Sequence, residues 1–403
     1  MAIDTIGTNA IANNSVTAAK IPAGAVDADI TTLPDNSVTT AKIASTAVTD
    51  AKLANDAVTS AKIAANVVTA EHIHTGLPLG RRNFIINGNG YINQRFGVNP
   101  GNANSSNTSI NTYAMDRWRS FGGPGALSIH TRVDGGAGEG NGHYMRYQRA
   151  NGNSQTATMG FANGIETRDS KQLAGKTVSL SFRARKGSGY SPTSSILTSK
   201  VLGGLGTDEN IVGMSGQTAY GSTNHTLTTS FQTFKVEGIA IPTDRTQITV
   251  AFQHNPTGTA GGSDYYDIRE VQLEIGSHAT PFEYKPIVQE LNDCYRYYYT
   301  TIDWENTQYV GGGGYVGKKA FGNNGWQNTW NWEFPTHMRS TPSATARNAT
   351  TGTANQARAD TGGNLTVGVT GSNRKIFATF VSNNGSFSNA YHYINVDAEI
   401  TNS

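Results

Sequence analysis

Cysteine, charge and long apolar runs are all scarce in this chain, and each scarcity excludes something. A single cysteine, Cys294, rules out an intramolecular disulfide framework, and it is expected to behave as a small buried apolar residue. Charged residues are only 15% of the 403, with a net charge of +2, so no basic footprint for nucleic acid is present. No run of about 18 apolar residues is available to span a membrane. The N-terminus has no basic segment followed by an apolar stretch, so the chain is expected to be soluble and without a secretion signal. The nine histidines are scattered, with no HExxH, and no Gly-x-Ser-x-Gly elbow occurs. Glycine, by contrast, is plentiful at 46 residues, above the usual share of about 7%. With abundant Asn, Ser and Thr, it implies many short strands and turns.

The most regular feature is an aliphatic residue at nearly every fifth position of the first 75: Ile6, Ile11, Val16, Ile21, Val26, Ile30, then Val38, Ile43, Val48, Leu53, Val58, Ile63, Val68 and Ile73. The underlying unit is a decapeptide, clearest in NSVTTAKIAS, TAVTDAKLAN and DAVTSAKIAA from Asn36 to Ala65. In an α-helix, five residues turn through about 500°, so successive aliphatics land about 140° apart and form no stripe. In a flat strand an odd spacing sends alternate residues to opposite faces. A chain that bends at each unit, wound with identical chains around a common axis, buries them all. Each inward aliphatic contributes about 1.5–3 kcal/mol while ordering the backbone costs about 1–2 kcal/mol per residue, so a lone thread is insufficient and a homotrimeric shaft is expected. The spacing stretches between Val26 and Val38 around Pro34, which marks a register break.

After Pro78 and Gly80 the pattern changes, and a globular region is expected from about Arg82. Val178, Leu180 and Phe182 alternate with Ser179, Ser181 and Arg183; Ile248, Val250 and Phe252, then Val271, Leu273 and Ile275, repeat the period of two. Half-buried strands separated by Gly/Asn/Ser turns point to an antiparallel sandwich or jelly roll. Pro286 opens a short helical segment, IVQELNDC, with Ile287 and Leu291 one turn apart. Strands resume in YRYYYTTI, NTWNWEFP, RKIFATFV and YHYINVDAEI. The expected domains are a repetitive shaft over 1–80, a β-sandwich over 81–286 and a C-terminal β-sandwich tip over 287–403.

Three segments carry a resemblance: RRNFIINGNGYINQR, YAMDRW at Tyr113 to Trp118, and IREVQLEIGSHATPFEYKPIVQELNDCYRYYY from Ile268 to Tyr299. With the decapeptides, they resemble tail-fibre and related appendage proteins of tailed bacteriophages. FPTHMRSTP, from Phe334 to Pro342, is similar to a motif of the tips of such fibres. The resemblance implies a middle sandwich like a carbohydrate-binding module and a terminal knob. Relatives often carry Arg after ATPFE, where this chain has Tyr284 and Lys285.

Candidate chemistry is sparse. GGGYVGKK, Gly312 to Lys319, matches P-loop spacing as far as Lys318, but Lys319 replaces the magnesium-binding hydroxyl and AFGNNG follows instead of a helix, so a Gly-rich loop is expected. Asp264 and Asp267 flank Tyr265 and Tyr266 at a strand start and are expected to cap a turn rather than act as an acid and base. His72 and His74 could supply six imidazoles to a metal on a threefold axis, but Ile73 takes the inward position and turns both away. Trp326, Trp330, Trp332 and Phe334 share one strand parity, which favours core. Trp304, beside Asn306 in a turn, is the candidate sugar-stacking ring, with Tyr315 and Trp326 around the Gly-rich stretch. Host contact is expected at the turn carrying Trp304 and at Gly311 to Gly325, since loops vary without disturbing a core.

The expected protein is therefore a non-enzymatic, cofactor-free virion component assembled in the host cytoplasm. Its N-terminus would join other tail or capsid proteins, and its tip would meet a host surface glycan or lipopolysaccharide. A head or tail decoration without its own receptor, and a glycan-degrading tailspike, are the alternatives.

Overall fold

Alternation of apolar and polar residues decides most of the globular structure. The computed structural model describes residues 82–95, 108–109, 112–134, 142–301, 316–322, 327–360, 362–381 and 387–400, with short stretches of the repeat at 43, 47–49, 52–53 and 57–63. Two compact units result, Met1–Pro78 and Leu79–Ser403.

The second unit begins with twelve strands: β1 (Thr108–Ser109), β2 (Tyr113–Met115), β3 (Trp118–Gly122), β4 (Leu127–Asp134), β5 (His143–Arg149), β6 (Met159–Ile165), β7 (Thr177–Lys186), β8 (Ile196–Gly204), β9 (Thr218–Thr226), β10 (Gln232–Ala240), β11 (Gln247–His254) and β12 (Tyr265–Ile275). They form two six-stranded antiparallel sheets, ordered β1-β4-β5-β12-β7-β10 and β2-β3-β6-β11-β8-β9. Val178, Leu180, Phe182, Ile248, Val250, Phe252, Val271 and Leu273 all lie in the core between them, with Trp118 and Phe161. A sandwich therefore forms from the period-two segments, as their pattern requires. Ile275 departs from it: as the last residue of β12 it runs past the covered part of the face and is exposed.

A helix, α1 (Ile287–Tyr295), follows with Pro286 at its N-cap. Eight further strands then form one antiparallel sheet that curls on itself: β13 (Tyr298–Thr300), β14 (Val316–Gly322), β15 (Gln327–Glu333), β16 (Ser343–Asn348), β17 (Gln356–Ala359), β18 (Asn364–Gly371), β19 (Lys375–Val381) and β20 (Phe387–Asp397). β20 is its hub, with four partner strands. Phe334, Met338, Ala346, Leu365, Val367, Ile376, Ile394 and Val396 fill the interior, with Trp332 packed against them as the shared parity implies. The mainly β expectation holds across the described residues. One local correction concerns the expected Gly-rich loop: Val316–Gly322 is strand β14, and Lys318 stands opposite Ala390. A phosphate cradle needs a loop leading into a helix, whereas here the backbone groups of that stretch pair with β20.

The segments that carry the resemblance prove to be structural ties. Asn83 Nδ2 donates to Val271 O at 3.0 Å, while its Oδ1 accepts from the backbone of Ile85 and Leu273. Asn87 donates to the carbonyls of Ile92 and Asp116, and Trp118 Nε1 donates to Asn87 O. Glu283, of the ATPFE run, accepts from the backbone N–H groups of Arg82 and Asn83 at 3.0 and 2.8 Å. The same segments seal the sandwich to the C-terminal sheet. Gln94 bonds both Asp116 and Tyr298 O, Arg95 pairs with Asp397, and Arg117 forms an ion pair with Glu399 in which both side chains are buried. Arg339, from FPTHMRSTP, reaches Ala398 O, Glu399 O and Asp208. Cys294 lies in a small apolar cluster with Ile86, Ile92 and Tyr297, and burial pushes its thiol well up.

In the first unit, the described residues of two successive decapeptides make the same contacts. Lys52 and Lys62 N–H groups donate to Thr49 and Thr59 carbonyls, each at 2.9 Å, and their ammonium groups fold back to Ala47 and Ala57 carbonyls, each at 2.7 Å. Within the single chain, Ile43, Val48, Leu53, Val58 and Ile63 stay exposed, at 40–58%. Val38, Val68, Ile73, Pro34, His72 and His74 lie outside the described residues.

Candidate sugar-binding face of the first sheet

On a half-buried sheet, register decides which polar residues meet. Across the outer face of β1-β4-β5-β12-β7-β10, Arg185 of β7 stands opposite Asp267 of β12, which stands opposite Arg146 of β5. One rung further along, Arg183 stands opposite Arg269. Arginine from three neighbouring strands is thus brought onto one face, each alternating with a core residue on the other side.

The Asp267 carboxylate is the centre of the first row. Arg146 forks onto it, Nε to Oδ1 at 2.7 Å and Nη2 to Oδ2 at 3.0 Å, and Arg185 Nε donates to the same Oδ2 at 2.8 Å. Arg185 Nη2 also donates to the Tyr144 hydroxyl at 2.8 Å. Such charge-assisted, bidentate contacts are the strong kind. Rings complete the surface: Arg146 lies 3.5 Å from the Tyr265 ring centroid, and Arg185 and Arg269 lie 4.5 and 4.4 Å from that of Phe231.

A bulge shapes the second row. The pairing of β12 with β7 shifts register between Arg269 and Gln272, and Glu270 takes φ = 54°. A non-glycine residue held at positive φ is strained and is found where the fold over-determines it, often at functional sites. The bulge turns the Glu270 carboxylate to Arg183 and Arg269, each at 3.4 Å. Tyr284 adjoins these groups; partial desolvation, then the neighbouring Glu270 carboxylate, raise its phenol pKa. Tyr284 is 54% exposed and lines a cleft of about 280 Å³ with Asn87, Tyr91, Phe282, Glu283, Lys285 and Glu290. The position where this chain departs from the resembling pattern is therefore the exposed ring beside the arginine rows.

Four guanidinium groups, of Arg146, Arg183, Arg185 and Arg269, face two carboxylates, of Asp267 and Glu270. Among these six groups two positive charges are in excess, with five N–H donors on each guanidinium, and the exposed Tyr284 adjoins them. Stacking and outward hydrogen bonds of this kind suit a polar planar-faced ligand. The opposite sheet carries an apolar patch of Phe121, Ala162, Leu202 and Ala251, which pack with Ile211, and a separate polar cleft of about 340 Å³ lined by Thr198, Asn224 and Asn255.

Of the residues expected from sequence to hold a glycan, Trp304, Asn306, Tyr315 and Trp326 lie outside the described residues. The two aspartates fall in different settings. Asp264 is buried, pairs with Arg149 at 2.7 Å and accepts from the Ser191 backbone at 3.0 Å, tying two loops; Asp267 belongs to the arginine row rather than to a turn. The signal for that row was in the sequence: Arg183 and Arg185, Arg146 and Gln148, and Tyr265, Asp267 and Arg269 each occupy the polar parity of a strand. Only the strand order shows that these three parities share one face. Among the described residues no group of three or more His, Cys, Asp or Glu side chains could hold a metal, and no helix is long and apolar enough to cross a membrane.

No protein-family model matches the chain, and neither does any curated protein. Among solved structures, the chain is similar to an enzymatically active domain of bacteriophage CBA120 tailspike protein 4, at 12% identity over 48% of this chain and 21% of that one, with a TM-score of 0.29. A C-terminal family 22 carbohydrate-binding module of Clostridium thermocellum is similar at 16% identity over 41% of this chain and 89% of its own, also with a TM-score of 0.29. A family 11 module from the same organism, solved with a β-1,3-1,4-mixed-linked tetrasaccharide, is similar at 14% identity over 43% of this chain and all of its own, with a TM-score of 0.27. At such low TM-scores, function rests on this chain's own residues.

Proposed function

We propose that this chain is a homotrimeric appendage protein of a tailed-bacteriophage particle, a fibre that attaches the virion to a saccharide on the host surface without cleaving it. The observation that carries the reading is the outer face of the first sheet, where the exposed Tyr284 ring stands beside rows of arginine on a rigid sandwich. Ring stacking with outward hydrogen bonds is how a shallow protein surface takes a sugar. The repeat supports the assembly: its aliphatics recur at fixed spacing among repeated local contacts, yet stay exposed in a single chain, so a threefold bundle is the arrangement that gives them burial. Weak sites would then act together, since linkage raises avidity by about 10²–10⁴ without a new contact.

Retention of the intact protein on an array of bacterial surface glycans, and adhesion to candidate host cells, test the reading. Retention on at least one saccharide and on cells displaying it is expected. Failure on every saccharide and cell type tried would leave a structural decoration, and shortening of a bound polysaccharide would make the protein a degrading spike. Removal of 287–403 is a poor test of where the sugar binds, because it strips Arg95 and Arg117 of Asp397 and Glu399.

A further inference from the structure

We propose that the saccharide taken by this face is acidic, a pyranose carrying a carboxylate such as a hexuronate, with its ring on Tyr284 and its carboxylate on Arg183. The inference rests on the proposed saccharide-binding role and names the class of sugar. Two observations point to it. The two rows hold four guanidinium groups against two carboxylates, so a ligand with negative charge completes their balance. Arg183 is the most open of the four, with 32% of its side chain exposed, and its one contact to Glu270 is long, at 3.4 Å, which leaves its charge for an incoming acceptor.

The other guanidinium groups have different work. Arg146 and Arg185 are committed to Asp267, and that carboxylate holds their heads in place, so they supply field and rigidity. Arg269 is held 4% exposed beneath Phe231. Arg183, with Nη1 on Glu270 and 32% of its side chain exposed, keeps charge-assisted donors for one carboxylate. Glu270, at the bulge, meets Arg183 at 3.4 Å and accepts from the Tyr284 hydroxyl, so the ring and the charge share one neighbour.

The test is titration of the full-length protein with galacturonate, glucuronate and mannuronate oligosaccharides, against neutral malto-oligosaccharides and a phosphorylated sugar. At least one uronate is expected to bind, more weakly as salt rises. Arg183→Gln should weaken it about tenfold, the loss of a charge-assisted hydrogen bond. Tyr284→Ala should weaken it about fivefold and Tyr284→Phe should restore most of that, as for a stacking ring. Both positions are partly open, and unchanged melting of the variants shows that the fold is intact. Equal binding of neutral and acidic oligosaccharides, uronate binding that survives both Arg183→Gln and Tyr284→Ala, or preference for the phosphorylated sugar would each overturn the proposal. If cells or neutral glycans are retained while no uronate binds, the acidic ligand is wrong and saccharide attachment stands; if nothing is retained at all, both fall.

Discussion

The repeat and the sandwich use the same aliphatic residues with opposite outcomes. In the sandwich, Val178, Leu180, Ile248 and Val250 are fully buried; in the repeat, Ile43, Val48, Leu53, Val58 and Ile63 are 40–58% exposed within one chain. Spacing makes the difference. A period of two puts a strand's aliphatics on one face, and a second sheet of the same chain covers that face. A period of five does not gather the described aliphatics onto one strand face, and they stay exposed within one chain. The sandwich is thus complete as one molecule, whereas the repeat is left with unspent apolar surface that identical chains can share.

The sharpest way to break this contrast is Ile43→Asp with Leu53→Asp. The trimer expected from sedimentation should become a monomer, while melting of the globular unit stays as before. A trimer that survives both charges would remove the repeat from assembly.

Acid should act the other way. His130 and His254 are buried among aromatic rings, and burial pulls both down to about 3. Between pH 6.5 and 3 the unfolded chain therefore takes up protons that the native one refuses, and stability falls as pH falls through that window. Asp116 opposes this: burial pushes it up to about 6, so its native form holds a proton that the unfolded chain releases, and its share of stability grows as pH falls from 6 towards 3.8. With two histidines and the larger displacements, the loss dominates. Denaturation midpoints measured from pH 7 to 4 should fall, and fall further for Asp116→Asn.

Single substitutions sharpen the comparison on a smaller scale. Phe252→Ala should cost the sandwich about 3–5 kcal/mol in urea unfolding without altering oligomer size. Glu399→Ala leaves Arg117 buried without its partner and should cost about 3 kcal/mol; a change below 1 kcal/mol would mean that the seam between sandwich and C-terminal sheet does not need the pair. Lys52→Ala removes one exposed ammonium-to-carbonyl bond and should change stability by no more than about 0.5 kcal/mol, with the trimer intact.

Much of this was legible in the residues themselves. Alternation over Val178 to Arg183 and Ile248 to Phe252 determined strands, which face of each was apolar, and so an all-β sandwich, because a period of two has one meaning on a pleated chain. Pro286 and the spacing of Ile287 and Leu291 marked the helix. The decapeptides fixed recurring local contacts, since identical neighbours impose identical turns. Tertiary structure decided the rest. Sequence could not show that Asn83, Glu283 and Arg117 are ties rather than site residues, because the partners Val271, Asn83 and Glu399 lie 188 to 282 positions away. Nor could it show that Arg146, Arg183, Arg185, Asp267 and Arg269 share one surface: parity gives each strand its polar side, but strand order and register, set by long-range pairing, choose which polar sides become neighbours. The bulge at Glu270 depends on pairing in the same way, and Glu270 is the neighbour that Tyr284 and Arg183 share.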